Sequence, residues 1–532
     1  MESVAKNFFG FIIVVIIVYW VWYAAAYLFD PSTMTYSNWM GTETDEKVSV
    51  RASATIRIGK YMEFQQNKER EVLFVGGTHN QADVFLAYNK TTRRLEVMGV
   101  LKKPNDVSTI GAAVGDMNGD GYEDLVLIRS DGVYIYYQNT TDDGVFAQHE
   151  KIYTPNEKEN LGSVSLGDIN LDGSLEIYVG VHTKTEFFDA FQFSEENTQP
   201  NLLLKKDVNG YTNIADVMGV QGDRNTWTAS FVDLSGNGYP DIVVANDEGP
   251  VLIYRNEIGK SFSKVETEFP TGFWMGMAVG DFFNSGHQSM FFTNSGDTIS
   301  TFMMKMMGAD PELMPDNFTS DHIMIENKGN YEFEVVKDNG INGNYKSRAG
   351  FGWGAISMDF ALDGNQSVVY SNNWKNIPWH KMRLLRDDGT VLQNLGDGTF
   401  ARRSYFKNPH FSMTPIALDL NGNGIKDLVW INNNYYMIGY LNGHGSSNNW
   451  INVSLPKTPE FANAQILVED ASGRVQSQQN IMGGTGLCSS RSSIFQFGFG
   501  DEIPKILKIV KARGKPIIVD SPNLFETYNV LA

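Results

Sequence analysis

The sequence contains a single cysteine, Cys488, so the chain can form no internal disulfide. Extracellular animal domains of this size usually carry several disulfides. The composition therefore favours a bacterial envelope, an organelle space or a microbial eukaryote rather than animal plasma.

Basic residues are also few, since 43 Lys and Arg stand against 62 Asp and Glu and give a formal net charge of −19. Nucleic-acid binders need basic surfaces, so this charge excludes nucleic acid as a partner.

The sequence also lacks the common patterns of catalytic sites. It has no His-Glu-x-x-His zinc motif, no Gly-x-Ser-x-Gly nucleophile elbow and no Gly-x-x-x-x-Gly-Lys phosphate loop. The eight histidines are scattered along the chain. We therefore predict that the protein is not an enzyme. The alternative is a surface hydrolase acting on glycans or lipids, which would need a nucleophile constellation that the sequence does not display.

A short acidic loop is the most informative stretch that is present. It begins at Asp116 and places side-chain oxygens at positions 1, 3, 5 and 9, with Gly121 at position 6. Glycine tolerates the sharp turn that such a loop needs. Hard oxygen ligands on a glycine-hinged loop suit Ca²⁺, and a backbone carbonyl completes the set. The predicted ligands are Asp116, Asn118, Asp120, Tyr122 through its carbonyl, and Asp124.

The same loop recurs every roughly 50 to 80 residues, and an apolar strand-like run follows each copy. Three further copies are intact, and two are degenerate, at Asp281 and Asp359. A last, worn copy begins at Glu63. The predicted ligands in the intact copies are Asp168, Asn170, Asp172, Ser174 and Glu176; Asp233, Ser235, Asn237, Tyr239 and Asp241; and Asp419, Asn421, Asn423, Ile425 and Asp427.

Repeats of this length built from short strands are typical of a β-propeller, in which each sheet buries its faces against its neighbours. A second recurring feature supports one four-stranded sheet for each repeat. Hairpin turns recur at 394–400, 327–333 and 256–262, where Asn and Gly stand between apolar runs. We therefore predict an all-β fold with a seven-bladed propeller.

These repeats resemble the FG-GAP, or VCBS, repeats of integrin α-subunit propellers and their relatives. The resemblance covers roughly residues 50 to 445 and implies seven blades whose acidic loops bind Ca²⁺. It carries over to the four intact loops position by position and implies about four structural calcium sites. The loops at Glu63 and Asp281 depart from the pattern at several ligand positions, and no metal is assigned to them. The resemblance does not decide the loop at Asp359.

The pattern changes after residue 445. Alternating strand-like runs at 450–455, 464–468 and 506–510 accompany a glycine-rich turn at 483–490 and the run Phe-Gly-Phe-Gly at 497–500. In this order the features resemble the ASPIC/UnbV domain of cartilage-acidic-protein-like proteins. The Trp-Pro-Ser-Gly that the family has after its last strand is replaced here by 511–515, so the resemblance leaves any binding role of that turn open. The predicted boundaries are 51–445 for the propeller and 446–532 for a small β domain.

The N-terminal segment 8–29 contains no charged residue and is long enough to cross a bilayer as a helix. Aromatic residues crowd its second half, as at a membrane interface. The alternative is a cleaved signal peptide with its small-residue site at 24–26. We predict a retained transmembrane anchor at 1–29 and a stalk at 30–50. Lys6 before the segment and acidic residues after it favour a single-pass protein whose bulk lies on the exoplasmic side, meaning the cell surface, a lumen, the periplasm or the mitochondrial intermembrane space.

Taken together, these features predict a membrane-anchored, calcium-binding propeller that serves as a protein-interaction or scaffold module. The expected partners are the membrane and other proteins, including the subunits of a larger membrane complex.

Overall fold

The fold was read from a computed structural model of the chain. The described residues are 48–57, 71–79, 81–138, 146–183, 198–296, 315–342, 350–372, 389–403, 405–406, 408, 410–435 and 437–530. The predicted anchor, nearly all of the stalk and the worn repeat from Glu63 up to residue 70 lie outside these residues. Among the described residues, no helix is long and apolar enough to cross a membrane.

The chain up to residue 440 forms a succession of antiparallel sheets, most of which are made of strands that are consecutive in sequence. The exception is the first strand, which also pairs with a strand of the last sheet, Val48 with Tyr435 and Ser49 with Asn433, and so joins the first sheet to the last. Their strands are β1 Val48–Arg57, β2 Glu71–Gly77, β3 Asp83–Asn89 and β4 Arg94–Leu101; β5 Thr109–Gly115, β6 Asp124–Arg129, β7 Gly132–Tyr137 and β8 Gln148–Tyr153; β9 Glu159–Gly167, β10 Glu176–Thr183, β11 Leu202–Asp207 and β12 Gly210–Asn213; β13 Asn225–Val232, β14 Asp241–Asp247, β15 Gly249–Pro250, β16 Leu252–Asn256, β17 Phe262–Lys264 and β18 Thr271–Gly272; β19 Met277–Gly280, β20 Ser289–Phe292, β21 Ile323–Asn327 and β22 Phe333–Val336; β23 Gly352–Met358, β24 Ser367–Asn372, β25 Thr390–Asn394 and β26 Phe400–Arg403; and β27 Ser412–Leu418, β28 Asp427–Tyr435 and β29 Ile438–Tyr440.

In each sheet the first two strands are buried and the last is more exposed. The side chains of the first strands are small or β-branched, as in the run Thr109–Gly115, so that neighbouring sheets can approach closely. We call the first strands the inner strands. They contact one another in the orders β1–β5–β9–β13 and β19–β23–β27, and β27 contacts β1. Between the two groups, the hydroxyl of Thr228 on β13 donates to the carbonyl of Met275, just before β19, at 2.6 Å, so the inner strands surround a channel, as in a propeller. A single helical turn, α1 Ala215–Met218, and the ribbon of β15 with β18 complete this region.

An asparagine at the end of the third strand joins each of several sheets to the preceding one. The side-chain amide of Asn256 donates to the carbonyl oxygens of Ile169 and Pro240, both at 2.9 Å. Asn327, Asn394 and Asn442 make bonds of the same kind. Asn256, Asn327 and Asn394 open the three predicted hairpin turns, whereas Asn442 follows β29 where no turn was predicted. The recurring turn therefore fixes how successive sheets stack as well as how the third and fourth strands connect.

The C-terminal module has its own hydrophobic core of Ile, Val, Leu and Phe side chains. Its elements are β30 Asn449–Ser454, a 3-10 turn at Pro459–Phe461, β31 Gln465–Asp470, β32 Val475–Gln479, β33 Met482–Gly483, β34 Ser489–Ser490, β35 Ile494–Gly500, β36 Pro504–Val510, β37 Ile517–Asp520 and β38 Thr527–Asn529. Strands β35, β30 and β38 form one sheet, and β32, β31, β36 and β37 form another.

Residues 481–493 leave this module and enter the channel of the propeller; we call them the channel loop. Strand β33 pairs with the inner strand β9, and β34 pairs with the inner strand β1. Gly486 exchanges two backbone hydrogen bonds with Met277, of 3.0 and 2.9 Å, on a third inner strand. The glycine-rich turn at 483–490 therefore fills the channel, where a β-carbon at Gly484 would lie 2.0 Å from the carbonyl oxygen of Ala229.

Candidate functional site

The acidic loops all connect an inner strand to the second strand of the same sheet, so they lie at one end of the propeller. We call this the acidic-loop end. Residues 116–124 join β5 to β6, 168–176 join β9 to β10, 233–241 join β13 to β14, and 419–427 join β27 to β28. The degenerate loops at 281–289 and 359–367 occupy the same place in their sheets. The predicted strand–loop–strand units are thus present.

The carboxylate at position 1 closes each intact loop through backbone amides. In the first loop, Oδ1 of Asp116 accepts from the amides of Gly119 and Asp120 at 2.7 and 3.2 Å, and Oδ2 accepts from Gly121 at 2.9 Å. Asp168, Asp233 and Asp419 accept the corresponding bonds. Gly121 has a φ of 85°, in the left-handed region that disfavours other residues. The glycine at position 6 is therefore needed to bring its amide to the carboxylate.

The carboxylate at position 9 is fully buried and also accepts amides. Oδ2 of Asp124 accepts from the amide of Met117 and Oδ1 from the amide of Gln138, both at 2.8 Å. Because burial penalises the charged form, the pKa of this carboxyl is raised to about 7. Burial has the same effect on the pKa of Glu176, Asp241 and Asp427, each raised to about 7. A cation bound beside these groups would offset the cost of their charge.

The degenerate loops show that the sheet itself does not need an acid at position 9. In the loop from Asp281 the ninth residue is Ser289, whose hydroxyl accepts the amide of Asn327 at 3.1 Å. Asp241 accepts the amide of Asn256 at the same place in its own sheet. A hydroxyl thus suffices for this bond. The carboxylate at position 9 of the intact loops therefore has a role beyond this hydrogen bond. Binding a cation is the role for which carboxylate oxygens are chemically suited.

Positions 3 and 5 are the more exposed part of each loop. The side chains of Asn118 and Asp120 contact each other at 2.9 Å, and Asn118 also accepts the amide of Asp120. Tyr122, Ser174, Tyr239 and Ile425 stand at position 7, where the prediction uses only their carbonyl oxygens. Within the described ranges, no three His, Cys, Asp or Glu side chains converge as a metal cluster. The oxygen-rich loops fit Ca²⁺ by donor type, and the metal assignment stays a prediction.

The second loop contains a cation of its own, which the sequence pattern did not indicate. The ammonium of Lys205, on β11, lies 3.1 Å from Oδ2 of Asp172 and also bonds a carboxylate oxygen of Glu176. It therefore neutralises positions 5 and 9 of the same loop. A lysine on the neighbouring strand can be found only once the sheet register is known, because Lys205 comes opposite Glu176 when Leu204 on β11 pairs with Ile177 on β10.

The C-terminal module covers the acidic-loop end and contacts degenerate and intact loops alike. The amide of Gly498 donates to Oδ2 of Asp359 at 3.2 Å, and a guanidinium nitrogen of Arg474 donates to the carbonyl of Asp363 at 2.7 Å. The side-chain amide of Gln465 donates to the carbonyl of Gly286 at 3.0 Å. Intact loops receive similar contacts, since the side chain of Gln479 bonds the backbone of Asp233 and the side-chain amide of Gln496 donates to the carbonyl of Gly424. The loops at 116 and 168 border a cleft of about 420 Å³ beside the module.

The opposite end of the channel has an aromatic character. Trp227 and Trp353 lie edge to face with ring centroids 6.2 Å apart, and Phe411 lies 5.5 Å from Trp353. The indole of Trp227 donates to Oδ2 of Asp247 at 2.9 Å, and His182 lies 3.3 Å from the same oxygen. We call these five residues the aromatic mouth. Leu487 and Cys488 of the channel loop pack beneath its rings, so the loop forms the floor of the mouth.

Comparison with known proteins supports the repeat assignment. A model of the FG-GAP-like repeat family matches residues 116–179 and 201–292, which include the acidic loops at 116, 168, 233 and 281. No curated protein matches the chain. The crystal structure of Saccharomyces cerevisiae Sqt1 aligns with a TM-score of 0.40 at 10% identity over 75% of this chain and 97% of that chain. The crystal structure of BBS1N in complex with ARL6DN, soaked with lead, aligns with a TM-score of 0.42 at 9% identity, over 76% and 97%. The FG-GAP-like repeats together with the all-β sheets support an FG-GAP β-propeller.

Proposed function

We propose that this protein is a membrane-anchored interaction module, in which a seven-bladed propeller presents its aromatic mouth to a protein partner. The observation that carries this proposal is that the two ends of the propeller differ in what covers them and in the residues they present. The module covers the acidic-loop end, whereas the mouth groups two half-buried tryptophans at the start of rigid inner strands. Tryptophan on a fixed scaffold is the residue most enriched where binding energy concentrates in protein interfaces. The proposal includes no reaction, so the protein would act by binding alone.

Site-specific photo-crosslinking in the native membrane tests this proposal. A photoreactive phenylalanine derivative replaces Phe411 in the mouth, and a second chain carries it at the fully exposed Val208, on the turn between β11 and β12. We expect a defined crosslinked protein from position 411 and none from position 208. Trp353→Ala in the first chain should abolish that crosslink. Identical products from both positions, or a product that survives Trp353→Ala, would contradict the mouth as the binding face.

We further propose that Ca²⁺ occupies the loops at Asp116, Asp233 and Asp419 and stiffens the acidic-loop end. Each has a buried carboxylate at position 9. Unlike Glu176 in the second loop, none of these three carboxylates forms an ion pair with a described residue. Ca²⁺ would be structural, joining the inner and second strands and relieving the repulsion between positions 1 and 9. We interpret the C-terminal module as an ASPIC/UnbV-like domain on the strength of its glycine-rich turn and the Phe-Gly-Phe-Gly strand.

The anchor and the complex are the remaining parts of the proposal. The uncharged segment 8–29 would hold the propeller on the exoplasmic side, which would bring the mouth to a membrane-bound partner. An accessory subunit of a larger complex should elute, after extraction in a mild detergent, far above the 59.5 kDa of the chain. Release of the protein by alkaline carbonate would count against a transmembrane anchor.

A further inference from the structure

A cavity lies inside the channel, between the channel loop and the inner strands β19, β23 and β27, and has a volume of about 30 Å³. A single water needs about 10–15 Å³ of such space, so the cavity has room for about two waters or one small ion. Hydroxyl and amide side chains line part of it, among them Ser357, Thr485 and Gln478. The hydroxyl of Thr485 is buried and has no hydrogen-bond partner among the described residues.

Two basic side chains also line this cavity, those of Lys426 and Arg491, and neither forms an ion pair with an acid in the described ranges. Nε and Nη2 of Arg491 are buried and without a hydrogen-bond partner in the part of the chain that the structure describes. Its guanidinium lies 5.3 Å from the ring centroid of Phe495. The ammonium of Lys426 forms no ion pair or hydrogen bond with any described residue. Glu71 attracts it electrostatically from a distance without contacting it. Guanidinium groups buried without partners are costly, so a ligand for them is expected.

The charges around the cavity do not balance. Among the described residues, four basic side chains interact here electrostatically, those of Arg57, Lys426, Lys457 and Arg491, and two carboxylates accompany them. Arg57 pairs with Glu123 at 2.9 Å. The ammonium of Lys457 donates to the carbonyls of Thr55 and Arg491 at 3.1 and 2.8 Å. The remaining carboxylate, Glu71, accepts from the amide and hydroxyl of Ser493 at 2.7 and 2.9 Å. With Lys426 and Arg491 included, this group carries an excess of two positive charges inside a chain whose net charge is −19.

We propose that this cavity binds a small inorganic dianion, such as sulfate or hydrogen phosphate, between Lys426 and Arg491. Such an ion would neutralise the excess charge and supply oxygen acceptors to the guanidinium, for which oxyanions are the preferred partners. A cavity of about 30 Å³ has room for a free ion of this kind but not for a larger molecule that carries a phosphate group. The ion would join the channel loop to the inner strands and so lock the module into the propeller.

Thermal unfolding of the full-length chain tests the proposal. Sulfate is titrated into a neutral buffer, and sodium chloride holds the ionic strength constant. We expect a saturable rise of the Tm by a few degrees at millimolar sulfate, and a similar rise with phosphate, because a ligand of the folded state stabilises it by mass action. A rise that grows linearly without saturation would reflect only the general exclusion of sulfate from protein surfaces and would overturn the proposal. Equal protection by chloride would also overturn it.

Variants that remove one charge each sharpen the test. Lys426→Met should abolish the saturable rise, and without sulfate it should be at least as stable as the parent because it removes an unpaired interior charge. Lys505→Met is the matched control, since Lys505 pairs with Glu469 at 2.8 Å on the exposed face of the module. It should keep the full sulfate response. If Lys426→Met does not fold, Arg491→Gln serves the same purpose, and a sulfate response in either cavity variant equal to that of the parent overturns the site.

A crystal soaked in selenate gives a direct readout, since the selenium of this sulfate analogue scatters anomalously. We expect an anomalous peak between Lys426 and Arg491. A cavity without such a peak, in crystals that diffract well enough to show the methionine sulfurs, would mean that it holds water alone and would refute the proposal.

Discussion

The two ends of the propeller use the same strands for different purposes. At the acidic-loop end, carboxylates at positions 1 and 9 accept backbone amides, and the module covers the surface. At the aromatic mouth, two inner strands carry Trp227 and Trp353 near their first residues, and among the described residues the tip of the channel loop lies beneath these rings. Each inner strand contributes its first residues to the mouth and its last residues to the acidic-loop end. Substitutions at one end of the propeller can therefore leave the residues of the other end in place. The comparison predicts that bound ions control the stability of the acidic-loop end and that the aromatic mouth binds the protein partner.

Calcium removal should have the largest effect, and it should act through the acidic-loop end alone. Excess EGTA is expected to lower the free energy of unfolding by about 3 kcal/mol for each site at a calcium concentration near 100 Kd. Denaturant titration with and without EGTA measures this. A chain with Asp124→Asn, Asp241→Asn and Asp427→Asn should lose the dependence on calcium. No change with EGTA in the parent chain would remove the metal sites from the comparison.

Blocking the channel loop should be the next largest effect, because this loop links the two ends. In Gly484→Ala the new methyl group would collide with the Ala229 carbonyl, and the residue would remain at a φ of 68°. We expect a loss of about 3–5 kcal/mol from the clash together with the backbone strain. Hydrogen exchange should show opening of the inner strands.

Gly473→Ala is the matched control for this variant. Gly473 also has a positive φ, of 88°, but an added methyl group would meet nothing within 4 Å. Only the strain of about 1–2 kcal/mol should remain. Equal losses in the two variants would mean that the channel loop contributes no more than an ordinary turn.

A buried histidine near the mouth end gives that end a pH dependence. His322 precedes β21, and its Nδ1 accepts the amide of Asn294 at 2.9 Å. Burial lowers its pKa from 6.5 to about 3. The folded state thus keeps it neutral while the unfolded chain protonates it, so stability is full above pH 6.5 and declines as the pH falls towards 3. At pH 5 the loss should be about 2 kcal/mol.

Urea unfolding at pH 7.5 and pH 5 measures this loss. The variant His322→Asn should show a pH dependence smaller by that amount, and an unchanged dependence would show that His322 is not the titrating group.

The smallest effect should come from the lysine in the second loop. Lys205→Met removes the ammonium that bonds Asp172 and Glu176. In EGTA we expect a loss of about 1 kcal/mol, since the ammonium is partly exposed. With calcium, the emptied loop should bind one additional ion per chain, which titration calorimetry can count. An unchanged stoichiometry would mean that something other than Lys205 distinguishes this loop.

The acidic loops were predictable because their ligand spacing is local. A nine-residue loop fixes its own hydrogen bonds, so Asp116, Gly121 and Asp124 identify it without any knowledge of the surroundings. The strands on either side follow from the apolar runs, and the hairpin turns follow from Asn and Gly. What the sequence pattern missed is non-local. Lys205 reaches the second loop across the sheet, and Arg474 reaches the loop at Asp359 from another domain.

The sequence by itself determined the repeating strand–loop–strand unit, the acidic oxygens and the separate C-terminal strands, because each depends on residues within a few positions of one another. The tertiary structure decided which loops keep an uncompensated carboxylate, which end of the propeller is covered, and that a glycine-rich turn fills the channel. These depend on contacts such as Gly486 with Met277, whose partners are far apart in the chain and meet only when the sheets stack around the channel.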